Sequence, residues 1–161
     1  MAHNNSADEI IIVDYDAFWQ LQFVQEAEKI RKALNAPTLI VEHIGSTAVP
    51  GLCAKPIIDI LVAVEALNDG KIIAGLSELG YVLEPEAGEQ GRLFFSKVTV
   101  RTYHVHVVEK NSWAFRRHIL FRDYLISNPS VCSEYALLKK ESAKKFRSDR
   151  KGYTRSKTEF I

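Results

Sequence analysis

The sequence predicts an α/β (α+β) fold, a mixed β-sheet flanked by helices and extended by further helices at its C-terminal end. Three observations predict it. Ile57 to Val64 is a nearly continuous apolar run, the pattern of a strand buried on both faces. Arg92–Val98 and Thr102–Glu109 are two strand-like runs separated by a few residues, so they pair as an antiparallel hairpin. Helical spacing of apolar residues governs the stretch before the first strand and everything after residue 111.

The elements follow in order. Ile10–Val13 is a short apolar run that reads as an edge strand, and Asp14 or Asp16 can cap the helix after it. In that helix Phe23, Ala27, Ile30 and Leu34 share one face, with Glu26, Lys29 and Arg31 elsewhere. Asn35-Ala36-Pro37 stops it. Thr38–Ile44 is rich in β-branched and apolar residues and reads as a strand, followed by a loop from Gly45 to Pro56 and the apolar strand. Ala66–Leu79 reads as a helix ending at Gly80, Tyr81–Leu83 as a short strand and Glu84–Gly91 as an exposed loop. After the hairpin, Trp113, Arg117, Leu120, Phe121 and Tyr124 form a stripe at helical spacing. Asn128-Pro129 ends that helix and caps the next, where Val131, Tyr135, Leu138 and Phe146 lie near one face. A third short helix is expected over Thr154–Ile161. No linker, repeat or low-complexity segment divides the chain. A single domain over residues 1–161 is expected, with a core of about 10–110 and a helical tail of about 111–161.

Composition narrows the classes of function. The 161 residues suffice for one substantial core, and 47% hydrophobic with 25% charged residues is ordinary for a soluble protein. No apolar run approaches the roughly 20 residues that span a bilayer. Met1–Glu9 lacks the basic region and apolar core of a signal peptide, so a cytoplasmic location is expected. Cys53 and Cys132 are then reduced and structural, although Cys53 lies in the Gly45–Pro56 loop, where a reactive role stays open. The net charge of +1 conceals an asymmetry: residues 1–110 carry −6 and residues 111–161 carry +7. The basic tail can face an anionic ligand or the acidic part of the same chain. The overall balance argues against a nucleic-acid partner, for which a strongly basic domain is expected.

Few residues fix a chemistry. Gly45-Ser46 at the end of a strand can bring free backbone N–H groups close to an anion, and Ser46 or Thr47 can hydrogen-bond a phosphate; a plain turn is the alternative. Asp59 lies inside the apolar strand, where a charge costs several kcal/mol unless paired or metal-bound. It suits Mg²⁺ as an oxygen donor, or pairs with an arginine or backbone N–H groups. His104 and His106 alternate with Tyr103, Val105 and Val107, so both imidazoles face one side of a strand. They can share a metal, move protons, or merely sit on a wetted face. Lys55 can contact phosphate or face solvent. Arg117, Arg122, Arg147, Arg150, Arg155 and Lys157 are further candidate anion contacts.

Taken together, these residues closely resemble the GrpB family. Glu42-His43-Ile44-Gly45-Ser46-Thr47, Val49-Pro50-Gly51-Leu52 and Ala54-Lys55-Pro56-Ile57-Ile58-Asp59 carry the likeness. Tyr103-His104-Val105-His106, Phe121-Arg122-Asp123-Tyr124-Leu125, Tyr135 with Leu138-Lys139, and Tyr153 with Lys157 extend it from about Ile11 to the C-terminus. The resemblance implies a nucleotidyltransferase-like fold. In that superfamily a Gly-Ser turn cradles a nucleoside triphosphate, and an Asp-x-Asp pair plus a third carboxylate on a later strand hold two metal ions. The acceptor attacks the α-phosphate in line and pyrophosphate leaves. Carried onto this chain, Gly45, Ser46, Thr47 and Lys55 would hold the nucleotide, and Asp59, His104 and His106 would ligate metal or act in catalysis. The chain departs from the pattern at Leu61, which stands at the second carboxylate position, and at His104 and His106, which stand where a third carboxylate is expected. A mixed carboxylate–imidazole set would favour Mn²⁺ or Zn²⁺ over Mg²⁺. Members of the family are also fused to dephospho-coenzyme A kinase, which points to nucleotide or coenzyme metabolism. The resemblance therefore implies a metal-dependent nucleotidyl or phosphoryl transferase acting on a nucleoside triphosphate and a small-molecule acceptor. The missing carboxylate implies the alternative, a catalytically degenerate nucleotide-binding or interaction module.

Overall fold

The computed structural model describes residues 9–85, 90–97 and 102–161. Among these, one mixed five-stranded sheet is flanked by helices on both faces. Helix α1 (Phe18–Ala33) precedes β1 (Ile40–Ile44). A single 3₁₀ turn (Ser46–Ala48) and the rest of the loop lead to β2 (Ile58–Val64). Then come α2 (Gly70–Glu78), β3 (Tyr81–Leu83), β4 (Arg92–Lys97), β5 (Tyr103–Glu109), α3 (Trp113–Ser127), α4 (Pro129–Phe146) and α5 (Arg150–Arg155). The sheet order is β1-β2-β5-β4-β3. β2 and β5 run parallel and every other pair is antiparallel. Val98 and residues 86–89, where the hairpin and loop expectations end, lie outside the described residues. No helix among the described residues is long and apolar enough to cross a membrane.

Period-two alternation sorts β2 and β5 into two faces. Ile58, Ile60, Val62, Val105 and Val107 are fully buried against α1 and α2, with Ala27, Ile30, Ile72 and Leu76 opposing them. The other face holds Ile44, Leu61 and Val108 beneath Ala114, Phe115 and Ile119 of α3. A third cluster fastens the Gly45–Pro56 loop to the tail, where Val49 and Leu52 pack on Leu125 of α3 and Tyr135 of α4. The tail thus seats the loop rather than forming a separate body. Truncating a fully buried Leu52 to alanine would cost about 2–5 kcal/mol.

Several boundaries differ from expectation for local reasons. Ile10–Val13 forms no strand; Val13 makes one isolated bridge to Ala54. Asp16 accepts from the Phe18 N–H at 2.9 Å just ahead of α1, but the N-cap position falls on Ala17, which has no capping side chain. α2 starts four residues later than expected because Asp69 is its N-cap, accepting from the Lys71 N–H. Asn128 occupies the N-cap position of α4, but its side chain donates back to the Tyr124 carbonyl of α3. Asp149 starts α5 four residues earlier than expected, its carboxylate accepting from the Gly152 N–H, and the helix closes at Ser156 instead of running from Thr154 to Ile161. Glu26, expected off the core face of α1, is fully buried, with Lys97, Lys29 and the Tyr81 hydroxyl on its carboxylate. The α3 stripe is the largest correction. Trp113, Leu120 and Tyr124 are more than half exposed, and the sheet-facing side carries Ala114, Phe115 and Ile119. His118 and Arg122, which reach the site and β1 from this helix, interrupt the apolar spacing that would have marked that side.

Candidate functional site

Register brings the site together. Asp59 is the second residue of β2. Parallel pairing sets it beside His104, with His106 beside Leu61. Antiparallel pairing puts Ile44, the last residue of β1, opposite Asp59, so the turn after β1 lands on the carboxylate. Gly45 adopts φ +71°, ψ −172°, a conformation nearly restricted to glycine. A Cβ at Gly45 would lie 2.7 Å from Asp59 Oδ2. The strand-borne acid and the Gly-Ser turn are therefore in direct contact, which requires glycine at this position.

Asp59 pairs with neither an arginine nor backbone N–H groups in the described contacts; its partners are imidazoles. His106 Nε2 lies 3.1 Å and His104 Nδ1 3.4 Å from the same oxygen, Oδ1. Burial alone would raise the Asp59 carboxyl, but these two hydrogen bonds outweigh it and hold it far below the usual carboxylate range. Burial keeps His106 neutral despite Asp59, and Arg92 adds to the effect. Arg92 Nη1 is 3.2 Å from His106 Nδ1. The ring of Phe94 meets both histidines edge-on, with centroids 5.0 and 5.1 Å away. His118 of α3 stands 5.4 Å from His106 and bonds the Ala114 carbonyl; burial pushes it down to about 4.

A cavity of about 420 Å³ opens over this cluster, within the size range of small-molecule sites. Ser46, Lys55, Asp59, His104 and His106 line one side. Lys139 of α4 and Tyr153 and Lys157 of the C-terminal segment line another. Lys139 is 2% exposed and donates to the Cys53 carbonyl. Burial, with Lys157 and Lys55 nearby, pushes it down to about 7. Burial and Lys55 bring Lys157 to about 8, and burial also lowers Lys55. The Tyr153 ring lies between Lys55 at 5.2 Å and Lys157 at 4.0 Å. Its hydroxyl is buried with no hydrogen-bond partner among the described residues. Tyr135, behind the turn in the Val49–Leu52–Leu125 cluster, interacts with the Ser46 hydroxyl and is raised to about 12 by burial. Three desolvated lysines and one carboxylate leave the cavity cationic, a field that attracts an anion.

The structure gathers Gly45, Ser46, Lys55, Asp59, His104 and His106 as expected from sequence. Thr47 also lines the cavity, but its buried hydroxyl is engaged with His43 Nε2 at 2.9 Å and the Ile57 carbonyl at 3.3 Å, fastening the turn. Among the basic tail residues Lys157 lines the cavity, whereas Arg122 is tied to Glu42, Asp123 and the His43 carbonyl. Sequence reasoning did not assign Arg92, His118, Lys139 or Tyr153 to the site. Lys139 carried a readable signal, falling four residues after Tyr135 on the inward stripe of α4, where a lysine needs a reason. Arg92 and His118 had none, because strand pairing and helix docking place them.

The donor set does not fit a two-ion centre. Leu61 is fully buried against α3 in place of a second carboxylate. Among the described residues no group of three or more His, Cys, Asp or Glu is arranged to hold a metal.

A Gly-Ser turn packed on a strand-borne aspartate in a mixed five-stranded sheet defines a nucleotidyltransferase-type fold. The GrpB protein family model matches residues 9–161, and the chain belongs to that family. It is 42% identical to a UPF0157 protein of Pseudomonas aeruginosa, over 98% of this chain and 67% of that one. It is 36% identical to the UPF0157 protein YqkA of Bacillus subtilis, over 95% of this chain but only 45% of that one, so it spans under half of that relative. The crystal structure of conserved protein GrpB from Enterococcus faecalis superposes with a TM-score of 0.80 at 36% identity, covering 93% of this chain and 96% of that one. A structure of the GLD-2/RNP-8 complex aligns with a TM-score of 0.59 at 15% identity, covering 89% of this chain and 58% of that one, which shows a shared fold alone.

Proposed function

We propose that the chain is a nucleotidyltransferase-type enzyme that takes a nucleoside triphosphate as donor and a small molecule as acceptor. The observation that carries the reading is that Lys55, Lys139 and Lys157 line one cavity with Asp59 and Ser46, next to the Gly45 turn that packs on the carboxylate. The lysines and the Tyr153 hydroxyl, which has no hydrogen-bond partner among the described residues, would hold the polyphosphate, with Ser46 and the turn N–H groups beside it. Asp59 Oδ2, the oxygen that no imidazole occupies, is the donor left for a divalent ion shared with the phosphates. Such an ion, Mg²⁺ or Mn²⁺, would neutralise charge developing at the α-phosphorus. In the transfer the acceptor oxygen bonds to that phosphorus, the bond to the β-phosphate bridging oxygen breaks, and pyrophosphate leaves. His104, which lines the cavity, would take the acceptor proton.

The test uses α-labelled ATP, GTP, CTP and UTP with a fractionated small-molecule extract, reading pyrophosphate release and label transfer together. The reading expects both with the native chain and neither with Asp59→Asn that keeps its melting temperature. Full turnover in Asp59→Asn would overturn it. Leu61 favours a second reading, a nucleotide-binding module without turnover. That reading expects binding with no pyrophosphate release and little loss of affinity in Asp59→Asn.

A further inference from the structure

We infer that Arg92 is a positioning residue that locks His106 as its Nε2–H tautomer, so that His106 supports the Asp59 carboxylate as a hydrogen-bond donor and is not a metal ligand. A guanidinium only donates and does not lose its proton. Its Nη1 stands 3.2 Å from His106 Nδ1, so that nitrogen must present its lone pair. The single proton of the neutral ring is then on Nε2, 3.1 Å from Asp59 Oδ1, a charge-assisted donor–acceptor pair. A doubly protonated ring would set an N–H against the guanidinium N–H in a setting where His106 is only 8% exposed.

The strands build this arrangement. Phe94 of β4 lies directly opposite His106 of β5, and Arg92 is two residues from Phe94 on the same face. The guanidinium carbon sits 5.6 Å from the Phe94 ring centre, which holds the arginine across the pair toward the imidazole. The other groups facing His106 are His104, His118 and Asp59. His118 bonds the Ala114 carbonyl through Nδ1, and His104 shares Oδ1 with His106. Asp59 is the one carboxylate among them.

Two consequences follow. Both nitrogens of His106 are occupied, one by a cation and one by a proton committed to Asp59, so neither offers a lone pair to a metal. Asp59 Oδ1 accepts from His106 Nε2–H, with His104 Nδ1 3.4 Å from the same oxygen, which leaves Oδ2 against the Gly45 turn. The trio that the resemblance assigns to metal therefore divides: Asp59 acts through Oδ2, while His106 and Arg92 orient it. None of this depends on what the cavity binds.

The test is long-range ¹H–¹⁵N correlation on histidine-labelled protein near neutral pH, without nucleotide. In the native chain the His106 Nδ1 resonance is expected to be pyridine-like and Nε2 pyrrole-like, and both keep that character on adding Mg²⁺ or Zn²⁺. Arg92→Met should shift the population toward Nδ1–H, and Arg92→Lys, which also donates, should restore the native tautomer. A native spectrum with a protonated Nδ1, or with a pyridine-like Nε2 with or without Zn²⁺, overturns the inference. A folded Arg92→Met with the native tautomer overturns the role of Arg92. If Arg92→Met does not fold, the native spectrum with and without Zn²⁺ still decides.

Discussion

Replacing Gly45 by alanine probes the contact on which the site is built. The residue sits at φ +71°, ψ −172°, where a side chain carries of order 1–3 kcal/mol of backbone strain. The added Cβ would also meet Asp59 Oδ2 at 2.7 Å and Asp59 Cβ at 3.1 Å, and overpacking of this kind adds roughly 1–3 kcal/mol. A loss of about 3 kcal/mol is expected, which for a domain of this size lowers Tm by roughly 6–12 °C. Gly51→Ala is the control: its φ is +80°, but nothing lies within 4 Å of the added carbon. It should lose only the strain, about 1 kcal/mol. The assay is thermal and urea unfolding of both single variants, Asp59→Ala, and the Gly45→Ala/Asp59→Ala double variant. Removing the carboxylate should relieve the overlap, giving a favourable coupling of about 1–2 kcal/mol in the cycle. If Gly45→Ala is no worse than Gly51→Ala, or the cycle shows no coupling, the turn does not rest on Asp59.

Leu61→Asp adds a carboxylate two residues after Asp59 but places it unpaired beneath α3, so it should destabilise by several kcal/mol and add no Mg²⁺ affinity by calorimetry. A stable, metal-binding variant would contradict the packing described. His43 is buried, stacked on Phe23 and lowered to about 4 from 6.5, so the unfolded chain takes up its proton first. The stability it contributes is full above 6.5 and falls by up to about 1.4 kcal/mol per pH unit below it, down to about 4. Urea unfolding across that range should show His43→Asn losing one proton's worth of slope. Lys139 is lowered to about 7, so an anion binding near pH 8 should return a proton to it, and affinity should fall as pH rises. Calorimetry in two buffers of different ionisation enthalpy should detect proton uptake that Lys139→Gln abolishes.

The sheet and the heart of the site were legible because local pattern and burial agree there. The β2 run is buried on both faces, and the alternation around His104 and His106 puts both rings beside Asp59, as the period of two requires. The tail was half legible. Tyr135, Val131 and Leu138 pack as their spacing indicates, yet the α3 stripe pointed outward. The inward face of α3 carries His118 and Arg122, polar residues serving His106 and β1, which hid the apolar period. Glu26 was placed off the core for the same kind of reason. Its burial depends on Tyr81 and Lys97, which are 55 and 71 residues away and meet it only through the fold. Tyr153 and Arg92 reach the cavity by tertiary docking, so their residue type alone gave no address, whereas Lys139 was marked by its place on the inward stripe of α4.

The most direct test of the central claim, that the cationic cavity takes a nucleoside triphosphate, is a thermal-shift panel. ATP, GTP, CTP and UTP are each added alone and with Mg²⁺ or Mn²⁺, for the native chain and Lys139→Gln. Ligand at about 100 times its dissociation constant adds about 2.7 kcal/mol, a rise of roughly 5–10 °C. The account predicts such a rise with at least one triphosphate in the native chain, and its loss in a Lys139→Gln variant that remains folded. No rise with any nucleotide, or the same rise in both proteins, would contradict it.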